Sequence, residues 1–150
     1  MLFRSRRVRQ AASEGDGGGR RRQLSVPGPD AAFWQRRFES GDTPWDRGGP
    51  GPQLVSWLDQ GNLTPCRIAV PGCGSGWDVI ELARRGFDVI GVDLVPEACR
   101  RTRDALAQAS LTAEVLQLDV LAFRPERALD AVYEQTCLCA LHPKIGRAHV

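Results

Sequence analysis

One stretch, residues 66–78 (CRIAVPGCGSGWD), constrains this chain more than any other. The apolar run Ile68-Ala69-Val70 enters a turn carrying Gly72, Gly74 and Gly76. Residues 78–85 then read as a helix with Val79, Leu82 and Ala83 on one face. Strand, glycine turn and helix open a nucleotide-binding α/β unit. Glycine lets the chain turn with φ > 0 and lets a ligand touch backbone that no Cβ obstructs. The helix N-terminus that follows directs free N–H groups at the ligand.

Two neighbouring features narrow what the turn holds. The glycines run G-x-G-x-G, and Trp77 stands where a dinucleotide fingerprint has its third glycine. An indole there is expected to block close helix–strand packing. The second feature is 87–93 (FDVIGVD), an apolar run that ends in Asp93, 21 residues after Gly72. A carboxylate closing the second strand is placed to accept hydrogen bonds from both ribose hydroxyls of an adenosine. Together they favour S-adenosylmethionine over a nicotinamide dinucleotide, which stays as an alternative.

The same alternation continues downstream. Residues 96–109 form a predicted helix with Pro96 in its first turn and Ala98, Cys99, Thr102, Ala105, Leu106 and Ala109 on its apolar face. Residues 114–120 read as a third strand, with Asp119 near its end, and 129–135 as a fourth, ending in Gln135. This rhythm predicts a doubly wound parallel sheet. Ligands of such sheets bind beyond the strands' carboxyl ends, where Gly72, Asp93, Asp119 and Gln135 fall. Upstream, 31–40 reads as a helix capped by Asp30, with Trp34 and Phe38 one turn apart, and 53–60 as a second. Trp45 lies in a Pro/Gly/Asp-rich loop, where a large aromatic is placed for contact as readily as for packing.

At 150 residues the chain accommodates one domain. Its net charge of +2 is unevenly spread: residues 1–23 hold seven arginines against Glu14 and Asp16, and the remainder holds 13 basic and 16 acidic residues. The body therefore offers no basic field for nucleic acid. Residues 1–29, rich in arginine and glycine, are expected to be disordered. A mitochondrial transit peptide, residues added by an upstream start, and a nucleic-acid-binding arm are its alternative readings. No apolar run is long enough to cross a membrane. Cysteines 66, 73, 99, 137 and 139 form no paired C-x-x-C set, so reduced thiols are expected and a metal site is not. Four strands would leave a bare edge, and no helix is predicted after the fourth. Residues 145–150 read like a translated sequencing-library adapter, so authentic sequence is expected to stop near residue 143 or 144.

Four segments together carry a family resemblance: Trp34-x3-Phe38-x2-Gly41-x-Thr43-Pro44-Trp45-Asp46, then Val70-Pro71-Gly72-Cys73-Gly74-Ser75-Gly76, Gly91-Val92-Asp93 and Cys139-Ala140-Leu141-His142-Pro143. Over residues 31–143 the chain resembles the thiopurine S-methyltransferase family, which includes thiol and halide methyltransferases. The resemblance implies a class I S-adenosylmethionine-dependent methyltransferase, incomplete at its C-terminus. It also implies an N-terminal aromatic lid, matched by Trp34, Phe38 and Trp45; Phe38 stands where the family often has tryptophan. Gly72 and Gly74 match the glycine turn, Asp93 the ribose-holding acid, Asp119 and Val120 the pair beside the adenine. Gln135 matches a variable cofactor- or substrate-facing position. The implied acceptor is a thiopurine, another small thiol or a different soft nucleophile such as a halide, selenium or tellurium species. Such a nucleophile is an anion or nearly so and needs little help from a base, so no catalytic base is assigned; Glu134 is expected to pair structurally. The resulting expectation is a cytoplasmic, monomeric methyltransferase domain over residues 30–144. An inactive cofactor-binding fragment is the competing reading.

Overall fold

The computed structural model describes residues 29–141 together with the backbone of residues 2–4. In chain order the elements are β1 (Leu2–Arg4), α1 (Ala31–Ser40), α2 (Pro52–Asp59), β2 (Arg67–Pro71), α3 (Trp77–Arg84) and β3 (Asp88–Asp93). They continue with α4 (Pro96–Gln108), β4 (Glu114–Gln117), β5 (Ala131–Tyr133) and α5 (Cys137–Ala140). The sheet order is β1-β5-β2-β3-β4. β5, β2, β3 and β4 run parallel, with Ile68 opposite both Val89 and Ala131, and Val92 opposite Leu116. The expected parallel α/β sheet is present.

The central strands are buried on both faces and consist of continuous apolar runs, as a covered parallel sheet requires. Ile68, Val70, Val79, Leu82 and Val89 form one core with Leu54 and Leu58 of α2. α1 starts where predicted: the Asp30 carboxylate accepts the Phe33 N–H at 2.8 Å, and Gly41 closes the helix in the left-handed region. α1 then packs on α4 through Phe38, Val95 and Ala98. On α4 the buried residues are Ala98, Cys99, Thr102 and Leu106, four of the six in its predicted stripe.

Three expectations are corrected. Residues 1–29 were expected to be disordered, yet Leu2–Arg4 is a strand antiparallel to β5, with Phe3 opposite Val132. The outer edge of β5 presents unpaired backbone groups to any extended segment, and three residues are too few to show a period. The other described residue of that segment, Pro29, precedes the Asp30 cap of α1; residues 1 and 5–28 lie outside the described part, as do 142–150. Secondly, a single helical turn, α5, does follow the fourth strand, with the Glu134 carboxylate accepting the Leu138 N–H at 2.8 Å. Thirdly, the Trp77 indole does not sit against the sheet; it is 40% exposed at the start of α3. The close approach belongs to Gly76, at φ +83°, where a Cβ would lie 2.7–2.9 Å from the Thr102 side chain of α4.

Both end strands are shorter than predicted. β4 stops at Gln117, and Asp119 makes a turn, its carboxylate accepting the Leu121 N–H at 2.9 Å. Asp130 precedes β5 and binds the Arg67 backbone instead, through its own N–H and its carboxylate.

Candidate active site

The carboxyl ends of β2, β3 and β5 and the loop after β4 surround one cavity of about 670 Å3. All nine residues singled out from the sequence line it: Trp34, Phe38, Trp45, Gly72, Gly74, Asp93, Asp119, Val120 and Gln135. The aromatic wall comes from α1 and the loop after it. Trp34 and Trp45 meet edge to face with ring centres 5.4 Å apart, and Phe38 backs Trp45 at 6.0 Å. Phe38 is itself buried, with the Arg101 guanidinium over its ring, so it supports the wall more than it forms the surface.

Asp93 ends β3 with its carboxylate buried. One oxygen accepts the Gly74 N–H at 2.9 Å and the other the Val95 N–H at 3.0 Å. Burial pushes this carboxyl above its ordinary value, and the backbone hydrogen bonds pull it part of the way back. Each oxygen retains acceptor capacity beyond its one N–H bond, so the group is oriented while still able to accept hydroxyl donors.

Asp46 had no role in the sequence reading beyond its place in the Thr43-Pro44-Trp45-Asp46 segment. It joins the loop after α1 to the glycine turn: the Ser75 hydroxyl donates to one oxygen, and the Trp77 indole N–H to the other at 2.8 Å. The Gly48 N–H adds a third bond at 2.9 Å. Burial raises this carboxyl's pKa, but the donors outweigh it and hold the group below its usual range. The partners lie 29 and 31 positions away in sequence, beyond the reach of any local pattern.

Of the three cysteines that line the cavity, Cys73, Cys137 and Cys139, the first two are at least partly buried. Burial, followed by the Asp93 charge, pushes both thiols up, Cys137 to about 12. Both stay protonated at neutral pH, which makes them wall groups and poor nucleophiles. Among the described residues no group of three His, Cys, Asp or Glu side chains is placed to hold a metal, and no helix is long and apolar enough to cross a membrane. What the arrangement offers is a pocket with oriented carboxylates, Asp93 and Asp46 among them, glycine backbone and aromatic rings. That set suits binding and alignment of a polar, positively charged ligand, and no nucleophile–base pair is found among the described residues that line it.

A glycine turn after the central strand, an acid closing the next and an aromatic cover from the preceding helix define a class I methyltransferase fold. The magnesium protoporphyrin IX methyltransferase of Synechocystis PCC 6803, solved with bound S-adenosylmethionine, has the same fold: TM-score 0.64 at 20% identity, over 83% of this chain and 70% of that one. The chain belongs to the thiopurine S-methyltransferase family, whose model matches residues 29–150. The match is wider than the 31–143 expected and takes in the residues 145–150 that the sequence reading set apart. A probable thiol methyltransferase 2 of Arabidopsis thaliana is 32% identical over 115 residues, 75% of this chain and 50% of that protein. A thiocyanate methyltransferase 1 of Brassica oleracea is 29% identical over 117 residues, 77% and 52% of the two chains. The chain spans about half the length of these curated relatives.

Proposed function

We propose that the cavity holds S-adenosylmethionine and that the protein transfers its methyl group to a soft nucleophile, a thiopurine or another small thiol. The observation that carries this reading is the convergence of Asp93, the Gly72–Gly74 backbone and the Trp34–Trp45 pair on one cavity, in a chain of this family. The cavity volume lies within the range of about 300–1,000 Å3 usual for small-molecule sites. Bound there, S-adenosylmethionine supplies an electrophilic methyl on a sulfonium. Asp93 accepts the ribose hydroxyls, Asp119 and Val120 flank the adenine, and the glycine backbone faces the amino-acid end. The ring faces of Trp34 and Trp45 would attract the sulfonium charge, a contact worth about 0.5–2 kcal/mol.

An acceptor thiol that had given its proton to solvent would attack in line, its new S–C bond forming as the sulfonium S–C bond breaks and the released pair staying on the departing sulfur as a neutral thioether. A thiolate is already an anion, so the protein's part is alignment and exclusion of water, effects that reach about 7–11 kcal/mol in well-oriented systems. Thiocyanate and halide acceptors need the same alignment and remain within this reading.

Calorimetry with S-adenosylhomocysteine and with NAD tests the assignment. Binding of the first and not the second is expected; the reverse would sink it. Asp93→Ala should weaken S-adenosylhomocysteine binding by about 1–3 kcal/mol, through loss of charge-assisted hydrogen bonds. An unchanged affinity would remove Asp93 from the site.

A further inference from the structure

Beside the main cavity a second hollow of about 200 Å3 opens against α2. It is lined by Arg47, Pro52, Gln53, Trp57, Tyr133 and Gln135. Arg47 and Gln135 also line the main cavity, so the two spaces meet at these side chains. No residue of the glycine turn borders the hollow, and neither does Asp93.

The polar groups at the junction are held in place. The Tyr133 hydroxyl donates to Gln135 Oε1 at 2.9 Å, which leaves the amide Nε2 with two N–H donors and no partner among the described residues. Tyr133 is buried, and the Gly51 backbone presses on the pair: a Cβ at position 51 would collide with both Gln135 Oε1 and the Tyr133 hydroxyl. The Gly51 N–H is tied in turn to the Asp78 carboxylate at 2.7 Å. Arg47, on the same loop, makes no ion pair or side-chain hydrogen bond with any described residue, whereas Arg37, Arg67, Arg84, Arg85, Arg100 and Arg101 each pair with a carboxylate. Its charge is felt at the site all the same, favouring the ionised forms of Tyr133 and Asp78 against the burial that opposes them.

We propose that the junction is an acceptor subsite for a carboxylate, with Arg47 and Gln135 as its donors, and that the acceptor is a small thiol bearing that group. A guanidinium fork and an amide donor match the planar, two-oxygen geometry of a carboxylate. The Trp57 and Pro52 side chains provide apolar contact for a short carbon chain. A thiol anchored in the hollow would meet the main cavity at Arg47 and Gln135, which line both spaces. The inference rests on the methyltransferase reading for the fate of that thiol, though the binding step can be measured by itself.

The test titrates the full chain, reduced and saturated with S-adenosylhomocysteine, with mercaptoacetate and with 2-mercaptoethanol, which lacks the carboxylate. Mercaptoacetate is expected to bind about tenfold more tightly, the scale of a charge-assisted hydrogen bond. Arg47→Gln should abolish that preference while leaving S-adenosylhomocysteine affinity within about twofold, and Arg47→Lys should keep part of it because the charge remains. Arg47 is exposed, so these variants are expected to keep the wild-type Tm. Equal affinity of the unsubstituted protein for the two thiols would overturn the proposal, as would a preference that survives Arg47→Gln. A loss confined to S-adenosylhomocysteine would assign the guanidinium to that nucleotide's own carboxylate and overturn it too. Failure of the unsubstituted protein to bind S-adenosylhomocysteine would instead defeat the methyltransferase reading. The same thiol titration without nucleotide then still reports on the hollow.

Discussion

Asp46 shows how one side chain can hold two distant parts of a site together. Its three donors come from Ser75, Trp77 and Gly48, so its charge is used to fasten the loop after α1 onto the glycine turn. Asp46→Asn keeps the shape but loses the anion, and one amide N–H then points at a donor. A destabilisation of about 1–2 kcal/mol is expected, at the lower end for charged hydrogen bonds because the group is partly exposed. The sign with pH follows from the lowered pKa. The contribution is complete above the ordinary carboxylate range, near about pH 4, and is lost as pH falls through the lowered value. Thermal melts of both proteins should therefore differ at pH 6 and converge on acidification; parallel curves throughout would remove the charge from the account. The place of Asp93 in the cavity could be read from sequence because it follows from spacing, 21 residues after Gly72 and at the end of an apolar run. The role of Asp46 could not, since it exists only once the two loops have been folded together. Trp77 misled for a related reason: its identity was plain, but the direction in which helix α3 would present it was not.

At the level of elements, the helices were the most legible. α1 has the predicted bounds, because an Asp cap and a Gly stop mark its ends, and α3 and α4 begin or end within a residue or so of expectation. The short strands were harder. Leu2–Arg4 has no period to read, and β4 and β5 are trimmed by Asp119 and Asp130, whose carboxylates bind backbone. The join between α3 and α4 depends on a missing side chain at Gly76. Gly76→Ala would meet both the left-handed backbone penalty of about 1–2 kcal/mol and the contact with Thr102. The combined loss is expected to reach about 2–4 kcal/mol, seen as a lowered Tm. The double variant with Thr102→Ser should recover part of it by removing the methyl group; no recovery would mean that the backbone, and not Thr102, sets the cost.

Across the molecule, the family is shown by the match of its model to residues 29–150, whereas the sheet, the glycine turn and the aromatic cover are each common. That is why four separated segments gave a specific reading where the glycine turn did not. The site is assembled from widely separated parts of the chain, from Pro29 in front of α1 to Leu141 after α5. One consequence concerns traffic. With Asp46 fastening the loop that carries Trp45, a ligand lodged against the indoles is expected to leave faster once those ties are cut, so its residence time would report on a mechanical latch as well as on its own contacts. Stopped-flow tryptophan fluorescence would show it: Asp46→Asn should speed S-adenosylhomocysteine release more than it slows capture, whereas an unchanged release rate would mean that the doorway lies elsewhere. Where such a latch operates, S-adenosylhomocysteine is expected to be held longer than its own contacts would hold it.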